Sequence, residues 1–189
     1  MDCLSSIAQF FNNQSVGAFL GAFAAYFLVA LTDWRRDRKK IRNLRAEVEM
    51  NLAHAKNKLE TVRGNRTLMR EHNRVVPAQV LKFNTALIRQ LTAEVLDHLT
   101  LDQRRAIDGL CYTMEATDTL LDEIYSNASR LSGALGQADR LASAERLLVD
   151  FGDAIVNLKR LAEMCENYIA GKFNIIVTKQ YDRLDYEEP

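Results

Sequence analysis

The chain has 189 residues, with 25 Lys and Arg balanced by 25 Asp and Glu, and 48% of it is apolar. Only 2 Pro and 8 Gly are present, which excludes most strand-and-turn architectures and suits long helices. Cys3, Cys111 and Cys165 are odd in number and far apart, and they form no C-x-x-C pair, so neither a disulfide framework nor a zinc site is expected.

Residues 3–32 carry no charged side chain, and the densest apolar stretch is SVGAFLGAFAAYFLVAL, residues 15–31. A helix rises about 1.5 Å per residue, so about 20 residues cross a hydrocarbon core roughly 30 Å thick. A transmembrane helix is expected over about 15–32, within a membrane anchor of residues 1–34. Trp34 at one end, and Phe10 and Phe11 at the other, suit the two aromatic belts of a bilayer. A cleaved signal peptide would carry its positive charge before the apolar run. Here the order is reversed, because the seven bases of residues 35–45 follow it and meet one acid, Asp37. Basic residues beside a span stay on the cytoplasmic side. The expected topology is therefore single-pass in the cell membrane, with the N-terminus outside and the C-terminus cytoplasmic. Arg35, Arg36, Arg38, Lys39 and Lys40 are the candidate contacts to lipid headgroups.

Within the span, Gly17, Gly21 and Ala25 repeat every four residues and so share one helix face. Small residues at that spacing let two backbones approach closely, which makes this face the candidate oligomerisation surface. Phe19, Phe23 and Phe27 recur at the same interval and form a separate ridge.

Past the bases, Ile41, Leu44, Val48, Leu52, Ala55, Leu59 and Val62 follow at steps of three or four. The membrane helix is expected to continue through this basic juxtamembrane stretch, 35–63, and to close at Gly64. Residues 64–77 read as a connection, with Pro77 opening the next helix. Its apolar pattern runs Val80, Leu81, Phe83, Leu87, Ile88 and Leu91, and on to Leu99. Thr100 and Gln103 have capping-box spacing ahead of a helix carrying Ile107, Leu110, Met114, Leu121 and Ile124. Ser-Gly and Leu-Gly pairs at 132–136 break the pattern before a last long helix from Leu141 to Tyr168, closed by Gly171. The expected fold is all-α, a cytoplasmic bundle of about four helices over 35–171. An acidic tail, 172–189, is expected to be frayed or docked on a partner.

Chemistry-bearing motifs are few. No phosphate loop, Rossmann fingerprint or nucleophile elbow is present. Glu94 and His98 are four apart on an expected helix, but no second acid-x-x-His repeat exists to complete a bundle metal site. No metal or cofactor is expected. Arg66 and His72, in RTLMREH, form an Arg, five residues, then His. This spacing resembles the R-x(4–6)-H motif of HEPN ribonucleases, small helical bundles that pair two copies of the motif across a dimer. The resemblance implies Arg66 as a phosphate-positioning group and His72 as an acid–base group in RNA cleavage. A single span, a basic block and a small helical body with such a motif are together similar in layout to the membrane-anchored accessory proteins of RNA-targeting CRISPR systems.

Three functions are consistent with these readings. The first is a self-assembling, non-enzymatic membrane scaffold or membrane-perturbing effector, as in a defence or stress response. The second is a membrane-tethered HEPN-like ribonuclease acting on RNA. The third is an adaptor that binds a cytoplasmic protein partner.

Overall fold

Helix-forming residues run from Gln14 to His72 without a proline, and they form one helix of 59 residues. The computed structural model describes residues 14–76, 81–131, 137–179 and 186. The elements are α1 (Gln14–His72), α2 (Thr85–Glu94), α3 (Leu101–Leu131), α4 (Gln137–Ile169) and α5 (Phe173–Thr178), with a 3-10 turn at Leu96–His98. No strand occurs among the described residues, as the composition led one to expect. Cys3, Phe10, Phe11, Pro77, Val80 and the glycine pairs of 132–136 lie outside them. Two compact units are present, one through Arg42 and one from Asn43 onward, and α1 supplies residues to both.

The expected connection at 64–77 begins later than the sequence suggested. α1 passes through Gly64 and ends at His72, because an exposed interior glycine costs a helix only about 1 kcal/mol. Burial of Val62, Asn65 and Met69 on either side outweighs that cost. The helix stops instead at Asn73, whose φ of 50° is left-handed. Its N–H bonds to the Met69 carbonyl at 3.1 Å, the αL form of helix cap, which Asn tolerates well.

In the second unit α1 buries Leu44, Val48, Ala55, Leu59, Val62 and Met69. α3 buries Ile107, Leu110, Met114, Leu121 and Ile124, and α4 buries Phe151, Ile155, Leu158 and Leu161; α1 reaches α3 through Lys58 and Asp118 and α4 through Lys56 and Glu166. α3 packs on α4, α2 on α3, and α5 on both α3 and α4. Tyr125 and Phe151 meet edge to face at 6.5 Å between centroids, and Tyr168 and Phe173 do so at 5.1 Å.

Three buried polar residues of α1 hold the chain that returns after it. Asn51, Lys58 and Asn65 are seven apart, so they share one face at intervals of about 10 Å. The Asn65 side chain bonds to both Val76 backbone groups, at 3.0 and 3.1 Å, and donates to the Tyr125 hydroxyl at 3.1 Å. Lys58 pairs with Asp118 of α3, and Asp118 also accepts the Phe83 N–H at 2.8 Å. The Lys58 ammonium lies 3.7 Å from the centre of the Phe83 ring. Asn51 accepts the Asn84 N–H at 3.2 Å. Residues 81–84 are therefore non-helical, and α2 starts only at Thr85, capped by the Asn84 side chain. Burial pulls the Lys58 amine below its ordinary pKa, although the Asp118 hydrogen bond pulls the other way.

The box at Thr100 forms as its spacing suggests, with Thr100 N–H to Gln103 Oε1 at 2.8 Å and Gln103 N–H to Thr100 Oγ1 at 3.2 Å. Gly171 closes α4 with φ 73° in a Schellman pair, Lys172 N–H to Asn167 O at 2.8 Å and Gly171 N–H to Tyr168 O at 3.0 Å.

Of the tail, residues 172–179 and 186 are described. Residues 173–178 form α5 with Ile176 buried, and Tyr186 is 8% exposed against its own chain. The Tyr186 hydroxyl donates to Glu163 of α4, while Lys179 donates to Glu163 at 2.6 Å and to the Tyr186 hydroxyl at 3.2 Å. Lys159 donates to the Tyr186 carbonyl at 3.1 Å. A composition of acids and aromatics could not reveal that α4 offers a carboxylate and a lysine at matching positions.

Candidate functional site

A helix that packs on its own protein shows an apolar stripe, and a helix in lipid is apolar on every side. The first part of α1 is apolar and exposed on every side. Phe19 is 70% exposed and Tyr26 74%, and Leu20, Phe23, Phe27, Leu28 and Val29 are also exposed. At about 100° per residue these positions surround the axis. Among the described residues, no residue of an 18-residue window of mean hydropathy 1.4 is buried, and by length and composition the helix suffices to cross a membrane. The Thr32 hydroxyl at its end donates to the Leu28 carbonyl at 2.7 Å, so it carries no unmet hydrogen bond into an apolar medium. Added Cβ atoms at Gly17 or Gly21 would meet nothing within 4 Å, so the small-residue lane with Ala25 is open along the helix.

The bases beyond the span divide between two sides of α1. Arg35, Arg38 and Lys39, with Arg42, Trp34 and Ile41, line a surface hollow of about 820 Å3. The Arg38 guanidinium sits 4.0 Å from the centre of the Trp34 ring, a cation–π contact. Arg36 and Lys40, the other two expected headgroup contacts, are not among the lining residues, and Arg36 pairs with Asp33 at 3.2 Å. Arg42 and Ile41 are part of this surface and were missed; their seven-residue and three-residue offsets from Arg35 and Arg38 were the available signal.

Arg66 and His72 lie on the same helix, six residues and so about 9 Å apart along the axis. Six residues also turn the helix by about 240°, so the two side chains leave it on different sides. Arg66 lies over Gly152 of α4, with its Nη2 4.0 Å from where a Cβ would stand, and its buried Nε has no hydrogen-bond partner among the described residues. His72 is 64% exposed in the last turn, 3.8 Å from the Glu71 carboxylate. One copy of the chain does not bring the pair together. Glu94 ends α2 and His98 belongs to the 3-10 turn after Val95, so the two do not share one helix. No cluster of three metal-binding side chains occurs among the described residues.

A second hollow, of about 470 Å3, lies between the end of α3 and the start of α4 and includes Asn127, Arg130, Ser143, Arg146 and Asp150. Burial and the nearby Asp153 and Glu123 carboxylates raise the Asp150 pKa. Comparison with protein-family models, with curated proteins and with solved structures found no match to this chain.

Proposed function

We propose that the chain is a single-pass membrane protein that assembles with copies of itself through its span and acts as a non-enzymatic scaffold or membrane-perturbing effector. One observation carries this reading: no residue in the apolar part of α1 is buried among the described residues. Burying a large apolar side chain gains about 1.5–3 kcal/mol. The exposed Phe, Leu and Val side chains of 19–29 together represent on the order of 10 kcal/mol, comparable to the whole stability of a domain. A bilayer supplies that cover on all sides at once. A protein groove supplies it on one side, which a helix apolar all round does not need.

Self-assembly is supported by the open lane of Gly17, Gly21 and Ala25, where a second helix gains close backbone packing that lipid chains cannot give. The bases at 35–42 favour a cytoplasmic body by the positive-inside rule. The full chain is expected in the membrane fraction, resistant to alkaline wash and released by detergent as a multimer. The Gly17→Leu, Gly21→Leu double variant is expected to stay in the membrane and to run as a smaller species. A detergent-solubilised wild-type monomer refutes the assembly, and a chain soluble without detergent refutes the membrane reading. A reporter fused after Pro189 that proves extracytoplasmic refutes the topology.

A further inference from the structure

Charge is distributed unevenly around α1 just beyond the span. At about 100° per residue, Arg35, Arg38, Lys39 and Arg42 fall on the side that also holds Trp34 and Ile41. The opposite side holds Asp33, Arg36, Asp37 and Lys40, whose formal charges cancel, and Asp33 pairs with Arg36 at 3.2 Å. The hollow of about 820 Å3 is thus lined by four cations and two apolar side chains and by no acid. Trp34 is three residues past Leu31, about 5 Å along the helix from the end of the apolar stretch. When the span lies in a bilayer, this places Trp34 and Arg35 in the headgroup layer. The remaining three cations then lie within about one Debye length of it.

On the membrane reading above, we propose that this side of α1 is a recognition site for the headgroups of anionic phospholipids. Guanidinium groups bind phosphate oxygens through paired N–H donors, and Arg38 is held ready by its contact with Trp34. Trp34 and Ile41 give the glycerol and first acyl carbons an apolar surface. The neutral opposite side lacks this attraction, so selectivity comes from where the charges stand and not from their number.

The full-length chain is tested in nanodiscs of phosphatidylcholine alone or mixed with phosphatidylglycerol. The lipids that stay on the released protein are counted by native mass spectrometry. Trp34 is the only tryptophan, so its emission reads the hollow directly. Each basic side chain near an anionic surface is worth about a five-fold change in partition. Wild type is expected to retain phosphatidylglycerol over phosphatidylcholine by about ten-fold or more, with a shift in Trp34 emission only in the mixed discs. The variant Arg35→Gln, Arg38→Gln, Lys39→Gln, Arg42→Gln is expected to enter discs and lose that preference. Arg36→Gln with Lys40→Gln is expected to lose less of it per charge removed than the four-fold variant, because neither side chain lines the hollow. The proposal is overturned if wild type in discs shows no preference, or if the Arg36, Lys40 variant loses as much per charge removed as the four-fold variant. It is equally overturned if single-stranded RNA at equal phosphate concentration displaces the lipid signal. Failure of the wild type to enter discs at all is a different result and removes the membrane reading itself.

Discussion

Asn65, only 3% exposed, holds the N–H and C=O of the exposed Val76 and the hydroxyl of the half-buried Tyr125, so its removal loses three hydrogen bonds at once. Each is worth about 0.5–1.5 kcal/mol net. Asn65→Ala is expected to destabilise the fold by about 2–4 kcal/mol in denaturant titration, whereas Arg89→Ala, which breaks an exposed pair with Glu115, is expected to cost no more than about 1 kcal/mol. The two buried cysteines make a second residue-level prediction. Burial pushes the Cys111 thiol up to about 11 and the Cys165 thiol to about 12, so almost no thiolate exists at pH 8. Both are expected to resist a disulfide reagent in the folded chain and to react fully after denaturation. That these cysteines are buried thiols was legible in the sequence, because each sits in an apolar helical pattern. The ladder of Asn51, Lys58 and Asn65 was not, because its partners, Asn84, Asp118 and Val76, are 11 to 60 residues away.

Two glycines separate the local rules from the tertiary ones. Gly64 looked like a helix end, but it lies inside α1 with open space where a Cβ would stand. Gly64→Ala is expected to raise stability by about 0.5–1 kcal/mol, since it removes backbone freedom from the unfolded chain and clashes with nothing. Gly171 occupies the left-handed region at φ 73°, so Gly171→Ala is expected to lower stability by about 1–2 kcal/mol. Opposite signs in thermal or chemical unfolding check both assignments; a destabilised Gly64→Ala would place the end of α1 where the sequence suggested. The capping box at Thr100 was legible because its partners are three residues apart. The start of α2 was not, because long-range bonds to Phe83 and Asn84 hold 81–84 out of the helix.

Across the body as a whole, the docked tail ties α4 and α5 to Tyr186 through ionisable groups. Burial first, and then the Glu163 hydrogen bond, push the Tyr186 hydroxyl up to about 12. Burial raises the Glu163 carboxyl, but hydrogen bonds from Lys179 and Tyr186 outweigh it and leave it below the ordinary glutamate value. A raised acid such as Tyr186 gives stability that is complete below its ordinary pKa of about 10 and lost as pH rises through about 12. A lowered one such as Glu163 gives stability that is present above its ordinary value and lost as pH falls through the folded one. Tyr186→Phe is therefore expected to cost about 1–2 kcal/mol at pH 7 and progressively less as pH climbs past 10, read from unfolding free energies at several pH values. A cost that stays constant up to pH 12 would show that the hydroxyl's proton has no part in the docking.

The sequence by itself determined the apolar segment, the basic block beyond it, the helical class and the short-range caps. Each of these depends on residues within a turn or two of one another, where period and spacing act directly. Only the tertiary structure decided that α1 runs on past Gly64 to His72, that Asn51, Lys58 and Asn65 hold the chain that follows it, and that Tyr186 returns to Glu163. Those outcomes follow from buried partners distant in sequence, which no local pattern encodes.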